Sequence, residues 1–394
     1  MLNINKITNE NRLIYLLAKQ DLGSDEIEEL KETANSSKID LAYIFRTSFA
    51  HGIEPLIYLN IKKYLPQILS PNLVSKFEEG YNKILINNVS LFKELINVAN
   101  LLNKSSIPFA VIKGLPLTER LYNDIGIKKS IDIDIFVKEN DIPFIKNIFL
   151  SNGYEIYKDK PLTYGLVFLK KGGSKIARLV EFETKLIRQH PVKNIDYEKD
   201  IWTTIQTVEI DDLDFPALSF ENELLYLCLH NFHHLYLNFA SLRTKHPIYT
   251  EFKWLCDINN FINIYGNKIN WGLFTERCKR YNLSTIIYYI FLQTKIYLKT
   301  SIPNSVYLNL RPSAIRSFII KHFSPEPLLK INIQNSILKY TIAYYKIALL
   351  YFSLIPVNMI LLRIKMVTRF HFLIIINIFS RLRKSFYSST KSYR

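Results

Sequence analysis

Ile131-Asp132-Ile133-Asp134-Ile135-Phe136-Val137 is the stretch whose reading decides the fold. Apolar and acidic residues alternate strictly at first, which is the period of a strand with one face in a core. On such a strand Asp132 and Asp134 share a face, about 7 Å apart by strand rise, while Ile131, Ile133 and Ile135 point into the core. Two carboxylates so placed repel each other unless a cation lies between them. Mg²⁺ suits the arrangement, because it takes oxygen ligands and is commonly held by one or two carboxylates plus substrate phosphates. The competing reading is a solvated strand face. Asp212-x-Asp214, in a polar connection ahead of a helix, is read that way here, as loop.

The neighbours of the pair separate the two readings. Upstream, Pro108-Phe109-Ala110-Val111-Ile112 is a short apolar run suited to a buried strand. Lys113-Gly114 turns the chain, and Pro116 fits the first turn of a helix over residues 117–122. Glycine lets a backbone approach phosphate, a helix N-terminus offers unpaired N–H groups, and Lys113 adds a point charge. Immediately before the pair, Lys128, Lys129 and Ser130 could contact phosphate oxygens. Downstream, a helix over 142–151 ends at Asn152-Gly153. Strands are expected over 164–169 and 177–183, separated by the turn-forming Lys171-Gly172-Gly173-Ser174. The second of these places Glu181 and Glu183 on one face.

Apolar stripes of helical period occupy the flanks. Leu13, Ile14, Leu16 and Leu17 form one, and Leu91, Phe92, Leu95, Ile96 and Val98 another. Between them Ala50-His51-Gly52-Ile53-Glu54-Pro55-Leu56 reads as a helix-to-helix turn. Helices are again expected over 223–234, 250–265, 271–281 and 285–298. The chain is therefore read as α+β: a helical region over 1–100, an α/β core over 101–215, a helical substrate-side domain over 216–330 and a basic apolar tail over 331–394.

The net charge of +16 does not by itself indicate a nucleic-acid binder, because it is unevenly placed. Eleven of the 51 Lys and Arg lie beyond the last acid, Glu326; the rest of the chain carries 40 basic and 35 acidic residues, a net of only +5. Cys228, Cys256 and Cys278 are odd in number and widely spaced, which argues against a disulfide framework or a zinc quartet and fits a reducing cytoplasm best. The polar start, Met1-Leu2-Asn3-Ile4-Asn5-Lys6, does not read as a secretory signal. In the tail, the uncharged runs 347–362 and 370–380 fall short of the roughly 20 residues that span a bilayer. Interleaved with Arg363, Lys365, Arg369, Arg381, Arg383 and Lys384, they suit either peripheral contact with an anionic membrane surface or helices completing the C-terminal bundle. Residues 385–394 are expected to be disordered.

His230, His233 and His234 fall at i, i+3 and i+4 and can share one helix face. With Glu223 or Asp257 they could bind metal; helix packing or substrate contact is the plainer reading. Lys253 serves either a phosphate or a solvated helix face. No motif supports serine or cysteine nucleophile chemistry.

The order Lys113-Gly114, a helix carrying Leu117 and Tyr122, Lys128-x-Ser130-x-Asp132-Ile133-Asp134, then Val180-Glu181-Phe182, resembles the uncharacterised bacterial nucleotidyltransferase family of the DNA-polymerase-β-like superfamily. The turn at residues 50–56 resembles that family's N-terminal helical turn. Residues 223–230, with His234 and Lys253-Trp254-Leu255-Cys256-Asp257, resemble its C-terminal helical region. The resemblance covers roughly residues 10 to 300. It implies a mixed sheet with flanking helices and Mg²⁺-dependent transfer of a nucleoside monophosphate from an NTP. Carried over, the metal ligands are Asp132, Asp134 and Glu181, with a two-metal arrangement possible. Lys113, Gly114 and Ser130, with Lys128 in the place of the usual basic residue, face the triphosphate. Glu183, His230, His234, Lys253 and Asp257 fall on the substrate side. The acceptor is open: a small molecule, a saccharide or lipid intermediate, a protein or an RNA. Four positions depart from the family pattern: Leu115 where a small residue is usual, Lys128 where Arg is usual, Glu181 where Asp is commoner, and Glu183 where His is often found. Those departures keep a non-catalytic accessory protein as an alternative, and a tRNA-directed toxin is a third.

Overall fold

The computed structural model describes residues 7–36, 39–159, 166–170, 178–186, 195–240, 252–324, 349–350 and 353–354. The Lys171–Ser174 turn and most of the basic tail, including residues 385–394, lie outside the described residues.

Four helices come first: α1 (Asn9–Leu17), α2 (Ser24–Asn35), α3 (Leu41–Ala50) and α4 (Glu54–Tyr64). The Thr8 side chain accepts from the Asn11 N–H at 3.2 Å and so caps α1. The long α5 (Pro71–Lys104) begins with a proline in its first turn, where no N–H bond is lost. It buries Leu91, Leu95, Val98 and Leu102 on one stripe. The α/β part then runs β1 (Phe109–Val111), α6 (Gly114–Tyr122), β2 (Asp132–Val137), α7 (Ile142–Ser151), β3 (Tyr154–Asp159), β4 (Leu166–Lys170), β5 (Arg178–Glu183), β6 (Gln206–Ile210) and β7 (Leu213–Ala217). Helices α8 (Phe220–Ala240), α9 (Lys253–Tyr265), α10 (Trp271–Arg280), α11 (Ser284–Leu298), α12 (Asn304–Leu310) and α13 (Ala314–Phe323) complete the described chain.

The sheet is mixed, in the order β3-β4-β5-β2-β1-β7-β6. Strands β2 and β5 pair in parallel at its centre, as do β1 and β7, and the remaining neighbours are antiparallel. Alternation assigns the two faces. Ile133, Ile135, Val137, Val180 and Phe182 pack with α5 and α7 residues such as Leu95, Ile145 and Phe149. The opposite face, carrying Ala110 and Phe136, meets a second cluster. That cluster joins the first helices (Leu13, Ile57) to the last ones (Phe232, Phe261, Ile287). Tyr15 of α1 lies 4.9 Å from Tyr297 of α11 and 5.3 Å from Phe252, ring centre to ring centre. The helices before and after the sheet therefore share one core. The sheet face that carries the acids looks toward them.

Two sequence expectations are corrected. Ile131 is not a core residue: it precedes β2, where the pairing with β5 begins, and is 62% exposed. Asp212 and Asp214 do not lie in a loop leading to a helix. They belong to the β6–β7 hairpin, in which Asp211 and Asp212 form the two-residue turn at φ of 52° and 58°. Aspartate tolerates that left-handed conformation, and hairpins favour it. Strand β3, unread in the sequence, supplies the edge beside β4. The three cysteines are free and buried. Among the described residues no helix is long and apolar enough to cross a membrane.

Candidate active site

Asp134 on β2 stands directly opposite Glu181 on β5, and Asp132 opposite Leu179. Because both strands are parallel and in register, the even positions of β2 and the odd positions of β5 project to the same face. One carboxylate oxygen from each of Asp132, Asp134 and Glu181 lies within 4.8 Å of the other two. Asp134 is buried, whereas the other two acids are partly open. The donor set is all oxygen and all anionic, the chemistry a hard divalent cation takes. Apart from the Lys113 ammonium, Asp134 Oδ1 is buried without a hydrogen-bond partner. A small oxygen-seeking cation fits these residues.

Lys113 sits where β1 gives way to α6. Its Nζ lies 3.1 Å from Asp134 Oδ1 and 2.9 Å from Glu183 Oε1. The Tyr226 hydroxyl of α8 donates to the other Glu183 oxygen at 3.3 Å. Burial opposes the Lys113 charge, but Asp134 and Glu183 outweigh it and hold the ammonium well above its ordinary range. Asp134 is pushed the other way: burial first, then Asp132, Glu183 and Glu181, raise its carboxyl well above the usual value against the pull of Lys113. The backbone at the turn is strained. Lys113 has φ 36° and ψ −164° and Gly114 has φ 62°. A non-glycine residue in that region costs about 1–3 kcal/mol and clusters at functional sites. A Cβ on Gly114 would stand 3.7 Å from Asp134 Oδ2, so the glycine brings the α6 N-terminus against the acids.

The chain entering β2 is clamped by α5. Fully buried Asn88 donates to the carbonyls of Ile125 (2.5 Å) and Lys128 (2.8 Å) and accepts from the Ser130 N–H (3.2 Å). Asn87 donates to the Ser130 carbonyl at 2.9 Å. Nothing in the local sequence marks these asparagines, which act from more than one helix length away. Lys128 is buried and paired with Asp257 of α9, which also accepts from the Tyr122 hydroxyl at 3.0 Å. Ser130 is buried, and its Oγ makes no hydrogen bond. Thus Lys113 and Gly114 join the acids, whereas Lys128 is turned to the Asp257 carboxylate of α9.

A family model described as an uncharacterised nucleotidyltransferase matches residues 37–299, two-thirds of the chain. The chain belongs to that uncharacterised nucleotidyltransferase family. No curated protein matches it. Among solved structures it is similar to an antigenic nucleotidyltransferase-like protein from Paracoccidioides brasiliensis, at 16% identity over 59% of this chain and 97% of that one, with a TM-score of 0.28.

In this nucleotidyltransferase-family chain α6, α8 and α9 are joined through a second constellation. Arg120 of α6 makes two 2.9 Å hydrogen bonds to Glu223 of α8 and packs against the Tyr265 ring, docking the site helix on the bundle. One turn beyond Tyr226, His230 packs edge-on against Trp254 (4.4 Å) and His234 (4.5 Å). Trp254 in turn stacks on His234 at 5.2 Å. Lys253 and Lys128 place their ammonium groups 4.6 and 5.0 Å from the Trp254 ring centre. Burial and then the Lys113 charge hold His230 well below its ordinary range, so its imidazole is neutral near pH 7. The sequence identified His230, His234, Lys253 and Asp257 as a group; it did not reveal Trp254 as the ring that joins them. Among the described residues, only Asp132, Asp134 and Glu181 form a group of three or more able to hold a metal.

Proposed function

We propose that this chain transfers a nucleoside monophosphate from an NTP to an acceptor hydroxyl, with Mg²⁺ held by Asp132, Asp134 and Glu181. The convergence of these three carboxylates within 4.8 Å, from two strands, carries the reading. Bound there, Mg²⁺ would neutralise phosphate charge and bring the attacking and leaving oxygens into line. The protein's own residues do the rest. Gly114 and the first amides of α6 receive the triphosphate, as a helix N-terminus with no side chain in the way can. Lys113, held by Glu183, adds positive charge beside the acids. A carboxylate of the trio accepts the proton of the attacking hydroxyl. The helical domain over α8 and α9 supplies the acceptor side.

The test is NTP binding and pyrophosphate release with Mg²⁺, comparing the parent with the Asp132→Asn/Asp134→Asn double variant. The parent should bind and turn over, and the double variant should do neither. Equal binding and equal release in both would end the proposal. Absence of turnover in the parent, with no effect of Mg²⁺ on its stability, would favour a non-catalytic accessory protein.

A further inference from the structure

We infer that Trp254, His230 and Lys253 form an oxyanion subsite on the acceptor side, so that the acceptor carries a phosphate or carboxylate as well as the hydroxyl that reacts. This rests on the transfer reading above and narrows it to anionic acceptors. Two ring nitrogens at the centre of the cluster, Trp254 Nε1 and His230 Nε2, are buried and make no hydrogen bond. Leaving such a group unpaired costs roughly 1–3 kcal/mol, a cost that a ligand oxygen would remove. The indole N–H is a donor only, so its partner must be an acceptor. The neutral imidazole can present Nε2–H to the same group. Lys253 and Lys128 bring their ammonium groups to 4.6 and 5.0 Å from the Trp254 ring centre. The cluster is linked to the metal acids through His230, Tyr226, Glu183 and Lys113. An anion held there would sit next to the transfer site.

The experiment is calorimetric titration of the full chain in EDTA with inorganic phosphate, and separately with acetate. The parent, Trp254→Phe and the Asp132→Asn/Asp134→Asn double variant are compared. Trp254→Phe keeps an aromatic ring but deletes the N–H donor along with part of the indole surface, and circular dichroism checks that it is folded. Saturable binding in the parent, retained in the double variant and weakened about tenfold or more in Trp254→Phe, is the result expected for a charge-assisted bond. Tighter phosphate than acetate binding would assign the group to a phosphate, and the reverse to a carboxylate. Binding that is lost in the double variant but unchanged in Trp254→Phe would place the anion at the acids instead and overturn the subsite. No saturable binding of either anion in the parent would overturn it too. Because the titration contains no metal and no NTP, its failure leaves the transfer reading standing, and failure of transfer leaves the subsite measurable.

Discussion

Lys113 Nζ lies 3.1 Å from Asp134 Oδ1 at the buried end of the acidic centre. One internal cation thus offsets the crowding of Asp132, Asp134, Glu181 and Glu183. The same contact explains why so polar a centre can be folded under the flanking helices.

Replacing Lys113 by Met removes that cation and keeps most of the stem. Breaking one side of a buried pair costs about 3–5 kcal/mol, because the remaining charge is stranded. The variant should therefore melt well below the parent in EDTA. Mg²⁺ should then raise its melting temperature by more than it raises the parent's, since the ion binds only the folded acids. Thermal melts with and without Mg²⁺ measure both. A variant that melts with the parent in EDTA would show that Lys113 does not hold the acids together.

Gly114→Ala separates backbone strain from crowding. The added methyl would meet Asp134 Oδ2 at 3.7 Å, an ordinary contact. The φ of 62° is what alanine resists, at about 1–2 kcal/mol. The expected outcome is a loss of that size in denaturant melts, with KM for the NTP raised more than kcat falls, because the methyl stands where phosphate approaches. An unchanged KM would show that the triphosphate does not use this turn.

How much of this was legible follows from the range of each interaction. Asp132 and Asp134 could be read because strand alternation is local, and Glu181 because Val180-Glu181-Phe182 repeats it. Their pairing across β2 and β5 needed the fold, as did the Lys113–Glu183 contact, which spans 70 positions. Lys128 looked like a phosphate ligand because it precedes the acids by a few residues; its actual partner, Asp257, is 129 positions away. The β6–β7 hairpin was missed for the opposite reason. Its turn is two aspartates in a left-handed conformation, and their acidity resembled solvated loop more than the glycine or asparagine that usually marks such a turn. Ile131 shows the limit of alternation itself, which assigns a face but not where a strand begins.

Asp200 gives a pH prediction. It is buried against the Tyr281 hydroxyl (2.5 Å) and Arg280 (2.7 Å), under α10. Burial alone would raise its carboxyl, but Tyr281 and Arg280 outweigh that and hold it below the ordinary range. A carboxyl lowered on folding stabilises the protein above its unfolded pKa of about 3.9, and that contribution disappears as pH falls through the lower folded value. Asp200→Asn should therefore lower the melting temperature at pH 7 and converge on the parent toward pH 2. Parallel curves across that window would mean that Asp200 carries no such linkage.

Asn88 offers the sharpest test of how the site is positioned, because its amide holds the backbone that leads into β2. Its amide donates to the Ile125 and Lys128 carbonyls while its oxygen receives the Ser130 N–H, so one side chain fixes the approach to Asp132 from both bonding directions. Asn88→Ala leaves three buried backbone groups short of partners, at about 1–3 kcal/mol for each that water cannot reach. Asn88→Asp is the more telling change: it keeps the acceptor for Ser130 but turns a second carboxylate oxygen toward two carbonyls. Both variants should lose stability, with aspartate at least as damaging despite its matching shape. Mg²⁺ affinity, read by the metal-induced shift in melting temperature, should fall in both, because supporting partners of metal ligands typically contribute about 10–100-fold to affinity. If Asn88→Asp melts and binds Mg²⁺ like the parent, the entry to β2 is held by something other than this side chain.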